Sequence, residues 1–175
     1  MSAGIVASAR LRVEVQYAAR RPWVPSATAL RRWARAAHAA AAGGTRLRAQ
    51  GHGPAALICI RVAGPGESRR LNREFRDRDR PTNVLSFPAS AEETAATGAL
   101  GDLVICAPVV AREAKEQGKT LSAHWAHMVV HGTLHLLGHD HEQRRQARRM
   151  ERVEVEILVG LGYQNPYVAS AAGTA

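Results

Sequence analysis

Residues 131–141 read HGTLHLLGHDH and place three histidines, His131, His135 and His141, at the spacing HxxxHxxGxxH. On a helix, side chains four residues apart share a face with Cβ atoms about 5–6 Å apart, so His131 and His135 can turn both imidazoles toward one cation. Gly138 is positioned to adopt the left-handed conformation that ends a helix and turns the chain back, which brings His141 toward the same point. Three neutral imidazoles leave one tetrahedral position open for water, the arrangement of a catalytic rather than a structural zinc. The alternative is a histidine-rich helix without metal, which requires the pair, the glycine and the distal histidine to coincide by chance. Three histidines also suit nickel, copper or iron.

The same spacing occurs in metzincin peptidases, where a glutamate directly after the first histidine is the general base. Here that position is Gly132. Without the carboxylate, no group stands ready to take a proton from water and hand it to a leaving amine. The residues therefore read as a metal-dependent hydrolase poorly suited to peptide bonds, with a metal-dependent peptidase or amidase kept as an alternative.

The chain has 175 residues, the size of one domain with a real core. Residues 10–167 are expected to form it, between flexible flanks at 1–9 and 168–175. Cys59 and Cys106 sit in apolar runs, where a thiol behaves as a small buried hydrophobe rather than a ligand. Neither a leader peptide nor a long apolar span is apparent, so the expected setting is the reducing cytoplasm, with no membrane partner.

The net charge of +9 favours a polyanionic partner. All the basic residues except Lys115 and Lys119 are arginine, a bias that can reflect genome composition, so location is the better evidence. One cluster comprises Arg69, Arg70, Arg73, Arg76, Arg78 and Arg80; a second comprises Arg144, Arg145, Arg148, Arg149 and Arg152. In the second, Glu151, Glu154 and Glu156 are available as compensating acids, and a solvated helix face weighs evenly against a binding face.

Leu11, Val13, Val15 and Tyr17 alternate with polar residues as a first strand. A helix follows from Ser26 to Gly43, and ALICIRV is a second, more buried strand; this order suggests a parallel crossover. ESRRLNREFR is a short helix with Leu71 and Phe75 on one side and Arg69, Arg73 and Arg76 on the other. NVLSFP and GDLVICAP are the third and fourth strands, separated by an expected mobile loop at 89–101. A helix opens near Pro108 and stops at Gly118, the histidine helix begins near Ser122, and a closing helix over 143–158 buries Met150, Val153 and Ile157.

Three segments in order, LNREFRDRDRPTNVLSFP, LGDLVICAP and HMVVHGTLHLLGHDHE, together with RRMERVEVEILVGLGY, closely resemble the YbeY family of metal-dependent endoribonucleases. The resemblance runs from about Glu67 to Gly162. It implies an α+β, zincin-like single domain with a small mixed sheet of about four strands and about five helices, and one zinc held by His131, His135 and His141. It also implies single-strand-specific endoribonuclease activity in ribosomal RNA maturation, at the 3′ end of the small-subunit RNA, and in ribosome quality control. Ribosomal RNA and ribosomal or pre-ribosomal particles are the partners it implies. Arg76 matches a family arginine implicated in catalysis, and Asn83 stands where family members carry Asp or Asn.

A zinc ion can supply both an activated water and charge stabilisation for phosphodiester cleavage, and the ribose 2′-hydroxyl is a second candidate nucleophile. Arg76 can clamp the non-bridging oxygens bidentately, or pair structurally with Asp77, Asp79 or another acid. His139 can compete as a ligand. Asp140 can orient a ligand histidine or cap the turn, and Asp102 can support the site or cap a strand end. His127 and His124 share the helical face of His131 and His135, one and two turns earlier; they can line the cleft, hydrogen-bond within the core or bind substrate phosphate, and are not read as metal ligands. A non-enzymatic, zinc-stabilised ribosome-binding protein is the remaining reading.

Overall fold

The computed structural model describes residues 11–19, 21–44, 55–139 and 144–168. Four strands, β1 (Arg12–Tyr17), β2 (Leu57–Ala63), β3 (Val84–Pro88) and β4 (Ala99–Cys106), form one sheet in the order β1-β2-β4-β3. The first two strands and β4 are parallel, and β3 pairs antiparallel with β4 at the edge. Between β1 and β2 runs α1 (Ala27–Gly44), whose preceding Ser26 hydroxyl accepts from the Ala29 N–H at 3.3 Å, so the expected strand, helix, parallel strand unit is present. The remaining helices are α2 (Pro65–Arg76), α3 (Ala91–Thr97), α4 (Ala107–Glu116), α5 (Leu121–Leu136) and α6 (Arg144–Gly160).

The helix α3 corrects the expectation of a loop at 89–101 and brings the described helices to six. Ser90 accepts from the Glu93 N–H, Glu92 and Glu93 lie at the positive end, and Gly98 closes the helix at φ 77°. A seven-residue segment so short gives almost no apolar period to read; its ends define it.

The main core lies where α1, α5 and α6 meet one face of the sheet, around Trp33, Trp125, Ile60, Leu103, Ile105 and Leu158. Met150 and Ile157 are buried in it and Val153 packs against it, as the helical spacing predicts. On the other face Leu71 of α2 and Phe87 cover Ala63, Leu85 and Val104. Cys106 is buried and Cys59 half-buried, and both are free thiols.

Two glycines fix how the sheet and α5 fit together. Gly101, in the LGD segment, sits at a register shift between β2 and β4 with φ +131°, and a Cβ there would lie 2.2 Å from the Phe87 carbonyl oxygen. Gly132 lets α5 lie close on the sheet: a Cβ at that position would lie 2.8 Å from a Leu103 methyl and 3.3 Å from a Val84 methyl. The turn after α5 has the form the sequence predicts. Gly138 has φ +84° and donates its N–H to the His135 carbonyl at 3.0 Å, while the His139 N–H reaches the Leu134 carbonyl at 3.0 Å.

Candidate metal centre

Because α5 is covered on nearly all sides, the histidines along it must find partners inside the protein. His124, His127, His131 and His135 follow one another with ring centroids 6.3, 6.2 and 4.6 Å apart. The first is paired outside the others: His124 Nε2 lies 2.8 Å from Glu113 of α4, and Asn83 donates to both oxygens of that carboxylate at 3.3 and 3.0 Å. Burial pushes the Glu113 carboxyl up, but the hydrogen bonds from His124 and Asn83 outweigh it and hold it below its ordinary value.

The next two imidazoles converge on Glu154 of α6, which is fully buried. His131 Nδ1 stands 2.7 Å from Oε1, His127 Nε2 3.3 Å from Oε2, and the Tyr167 hydroxyl donates to Oε2. Burial raises the Glu154 carboxyl, yet the hydrogen bonds from His127 and His131, the charge of His131 and the hydrogen bond from Tyr167 together bring it down to about 2. The same desolvation lowers His127 and raises Tyr167. Glu154 is therefore an ionised acceptor in the interior, satisfied by three donors.

Donor atoms of His127, His131 and Glu154 lie within 4.8 Å of one another, and this cluster can hold a metal ion. The opposite edge of the His131 ring offers a second grouping. Its Nε2 faces His135 Nε2 at 3.1 Å. Two ligands at about 2.0–2.1 Å from a tetrahedral ion stand roughly 3.3 Å apart, so this separation also fits a shared cation. With Nδ1 turned to Glu154, Nε2 is the ring nitrogen of His131 that looks toward His135. His131 and Glu154 border a cavity of about 300 Å³ with Ala147, Met150, Glu151 and Tyr167.

Of the residues singled out from sequence, His131 and His135 come together, whereas His141 and Asp140 lie outside the described residues. His139 is in the turn after α5 and is not in the described donor cluster. Asp102 is exposed in the middle of β4, paired across to Phe87, so it neither caps a strand end nor joins the donor cluster. Asn83 serves Glu113, not an open site.

Arg76 is exposed in the last turn of α2, just before Asp77, which ends the helix in the left-handed conformation. Asp79 takes Arg69 instead, through contacts of 2.8 and 2.6 Å, with Arg73 at 4.0 Å. Among the described residues no acid is within ion-pair distance of Arg76. The structural pairing weighed for it is thus absent there, and belongs to Arg69.

Glu154 and Tyr167 were not foreseen. The sequence offers Glu154 as an acid compensating the second arginine cluster, but in the fold it points into the core. Its signal was present in the sequence: it shares the apolar stripe of Met150 and Ile157, where a carboxylate needs a buried partner. Tyr167 gave no comparable sign, because it lies beyond the last helix and reaches Glu154 only through the fold.

Fold and donors define a small α+β protein with a histidine and carboxylate site able to hold a metal ion. The chain belongs to the Endoribonuclease YbeY family, whose model matches residues 25–162 and so takes in α1 and β2 as well as the later motifs. It is 52% identical to the Endoribonuclease YbeY of Alkalilimnicola ehrlichii over 171 residues, covering 95% of this chain and 97% of the relative. The Stenotrophomonas maltophilia (strain K279a) protein of that name is 49% identical over 162 residues, covering 90% and 94%. The fold is also similar to the solution structure of TM1509 from Thermotoga maritima, with TM-score 0.55 and 19% identity over 93% of this chain and all of that one.

Proposed function

We propose that the protein is a zinc-dependent endoribonuclease that cuts single-stranded regions of ribosomal RNA or its precursor. Its setting is the cytoplasm, and its work is maturation of the small-subunit RNA 3′ end and ribosome quality control. Family membership supports RNA cleavage, and the observation that carries the metal reading is the His131–His135 pair, 3.1 Å apart at Nε2. His131, His135 and His141 would hold the ion. Glu154 accepts the Nδ1 proton of His131, which orients the ring with Nε2 toward His135. When bound, zinc lowers the pKa of a coordinated water and polarises a phosphoryl oxygen.

Arg76 supplies a planar pair of donors for the non-bridging oxygens, where negative charge accumulates during cleavage. Its freedom from acids among the described residues supports that role. Position 132 argues against a peptidase: besides lacking a carboxylate, it faces the sheet so closely that a side chain meets Leu103.

The test is cleavage of precursor ribosomal RNA by metal-replete, metal-stripped and Arg76→Ala protein. Stripping should abolish cleavage, and Arg76→Ala should lower turnover by about 10²–10³ with metal content intact. Equal activity in all three preparations sinks the proposal. A 2′,3′-cyclic phosphate end identifies the ribose hydroxyl as nucleophile; a 5′-phosphate with a 3′-hydroxyl identifies water.

A further inference from the structure

The helix that buries Glu154 carries Arg144, Arg145, Arg148, Arg149 and Arg152 on its exposed side, and these five line a concavity of about 730 Å³. We infer that this face binds the phosphate backbone of a single-stranded RNA running past the histidine site. The inference rests on the RNA-cleaving reading above and adds where the substrate strand is held.

Among the described residues no ion pair or hydrogen bond gives these arginines a structural task. Two exposed arginines on other helices meet an acid one helical turn away: Arg70 reaches Glu74 at 3.3 Å and Arg112 reaches Glu116 at 3.6 Å. On α6 the equivalent acids are present, Glu151 three residues after Arg148 and Glu156 four after Arg152, yet no ion pair forms with any of the five among the described residues. Glu154, the third acid of the segment, is withdrawn into the core by His127 and His131. Arg144 and Arg145 also occupy a first turn without an acid, the end of a helix where positive charge is unfavourable. A set of cations that costs helix stability and has no ion-pair partner among the described residues is matched by a polyanion, which recovers the repulsion and releases counterions.

The rest of the helix indicates which polyanion. A membrane-surface helix inserts an apolar face beside its basic one. In α6 that face is consumed by the core through Met150, Ile157 and Leu158, and none of the exposed large apolar side chains falls within residues 144–152. Guanidinium groups grip phosphate bidentately, and the five extend over roughly 12 Å of helix. The next face of the same helix, through Ala147, Met150, Glu151 and Glu154, borders the cavity with His131. A strand held by the arginines thus lies alongside that cavity.

The experiment measures binding of a fluorescein-labelled oligouridylate across a salt series by anisotropy. It compares wild type, the triple variant Arg145→Gln/Arg148→Gln/Arg149→Gln, and the control triple Arg12→Gln/Arg70→Gln/Arg112→Gln, which removes the same charge from ion-paired positions. The α6 variant should lose affinity at least tenfold at low salt, with a log–log salt slope shallower by about 2, near 0.7 per lost phosphate contact. The control should stay within about threefold of wild type, and all three should melt alike. Equal losses in both triples would reduce the effect to net charge and overturn the inference, as would no RNA binding by wild type. Unchanged RNA affinity in the α6 triple with lost binding to phosphatidylserine vesicles would overturn it in favour of a membrane. Wild type that shows the predicted α6 dependence but never cuts RNA sinks the nuclease reading alone; wild type that cuts while the two triples bind equally sinks this one alone.

Discussion

Two of the histidine–carboxylate pairs on helix α5, His124–Glu113 and His131–Glu154, stand two turns apart and are built in opposite senses. In the His124–Glu113 pair the imidazole is the buried partner, at 2% exposure, and the carboxylate is the more exposed, at 22%. In the His131–Glu154 pair the carboxylate is at 0% and the imidazole at 26%. A deep carboxylate behind a shallower imidazole sends the remaining ring nitrogen outward, toward His135 and the cavity. The reverse order turns the ring inward and makes the pair a clamp between α4 and α5. One residue pairing thus serves two purposes, decided by which member is nearer the surface.

The strongest way to break this contrast is to remove each imidazole in turn. His131→Ala should lower RNA cleavage by more than about 100-fold, beyond what loss of a supporting group costs, and should reduce bound zinc measured by mass spectrometry. His124→Ala should leave zinc content unchanged and cost about 1–3 kcal/mol in denaturant unfolding. Equal zinc loss in the two variants would erase the distinction.

Next in size is the exchange of each carboxylate. Glu154→Gln should weaken zinc binding about 10–100-fold in a chelator competition, whereas Glu113→Gln should leave it alone. An unaltered zinc affinity in Glu154→Gln would show that His131 needs no orienting partner.

Acid stability sharpens the same comparison. The Glu154 carboxyl falls from an ordinary 4.5 to about 2 in the fold, so its contribution is complete above pH 4.5 and is lost as pH falls toward 2. Metal-free protein should lose a few kcal/mol across that window, and Glu154→Gln should flatten this acid limb in urea titrations. A steeper limb in the variant contradicts the sign.

The smallest effect concerns the side of α5 that faces the sheet. Gly132→Ala places a methyl 2.8 Å from Leu103 and should cost about 1–3 kcal/mol without altering zinc affinity. A variant as stable as wild type would show that Leu103 yields freely.

Much of this architecture is legible in the sequence. All four strands, the histidine helix, the Gly138 turn and the buried stripe of α6 follow from apolar periods and local stop signals. The helix α3 is not legible there, because seven residues carry too little periodicity and only its caps define it. The burial of Glu154 is hidden because a carboxylate between arginines looks solvated until its position on the stripe of Met150 and Ile157 is considered. The competition for Asp79 between Arg69, Arg73 and Arg76 is likewise a matter of how the chain turns after α2.

The spacing of His131 and His135, the absence of a carboxylate at Gly132 and the left-handed turn at Gly138 belonged to the sequence by itself. Each is a short-range consequence of helical geometry and of glycine's missing Cβ. Only the tertiary structure decided which acid meets which imidazole. Glu113 and Glu154 lie 11 and 23 residues from their histidines. Helix packing chose their depth, and that depth determines which imidazole keeps a nitrogen facing outward.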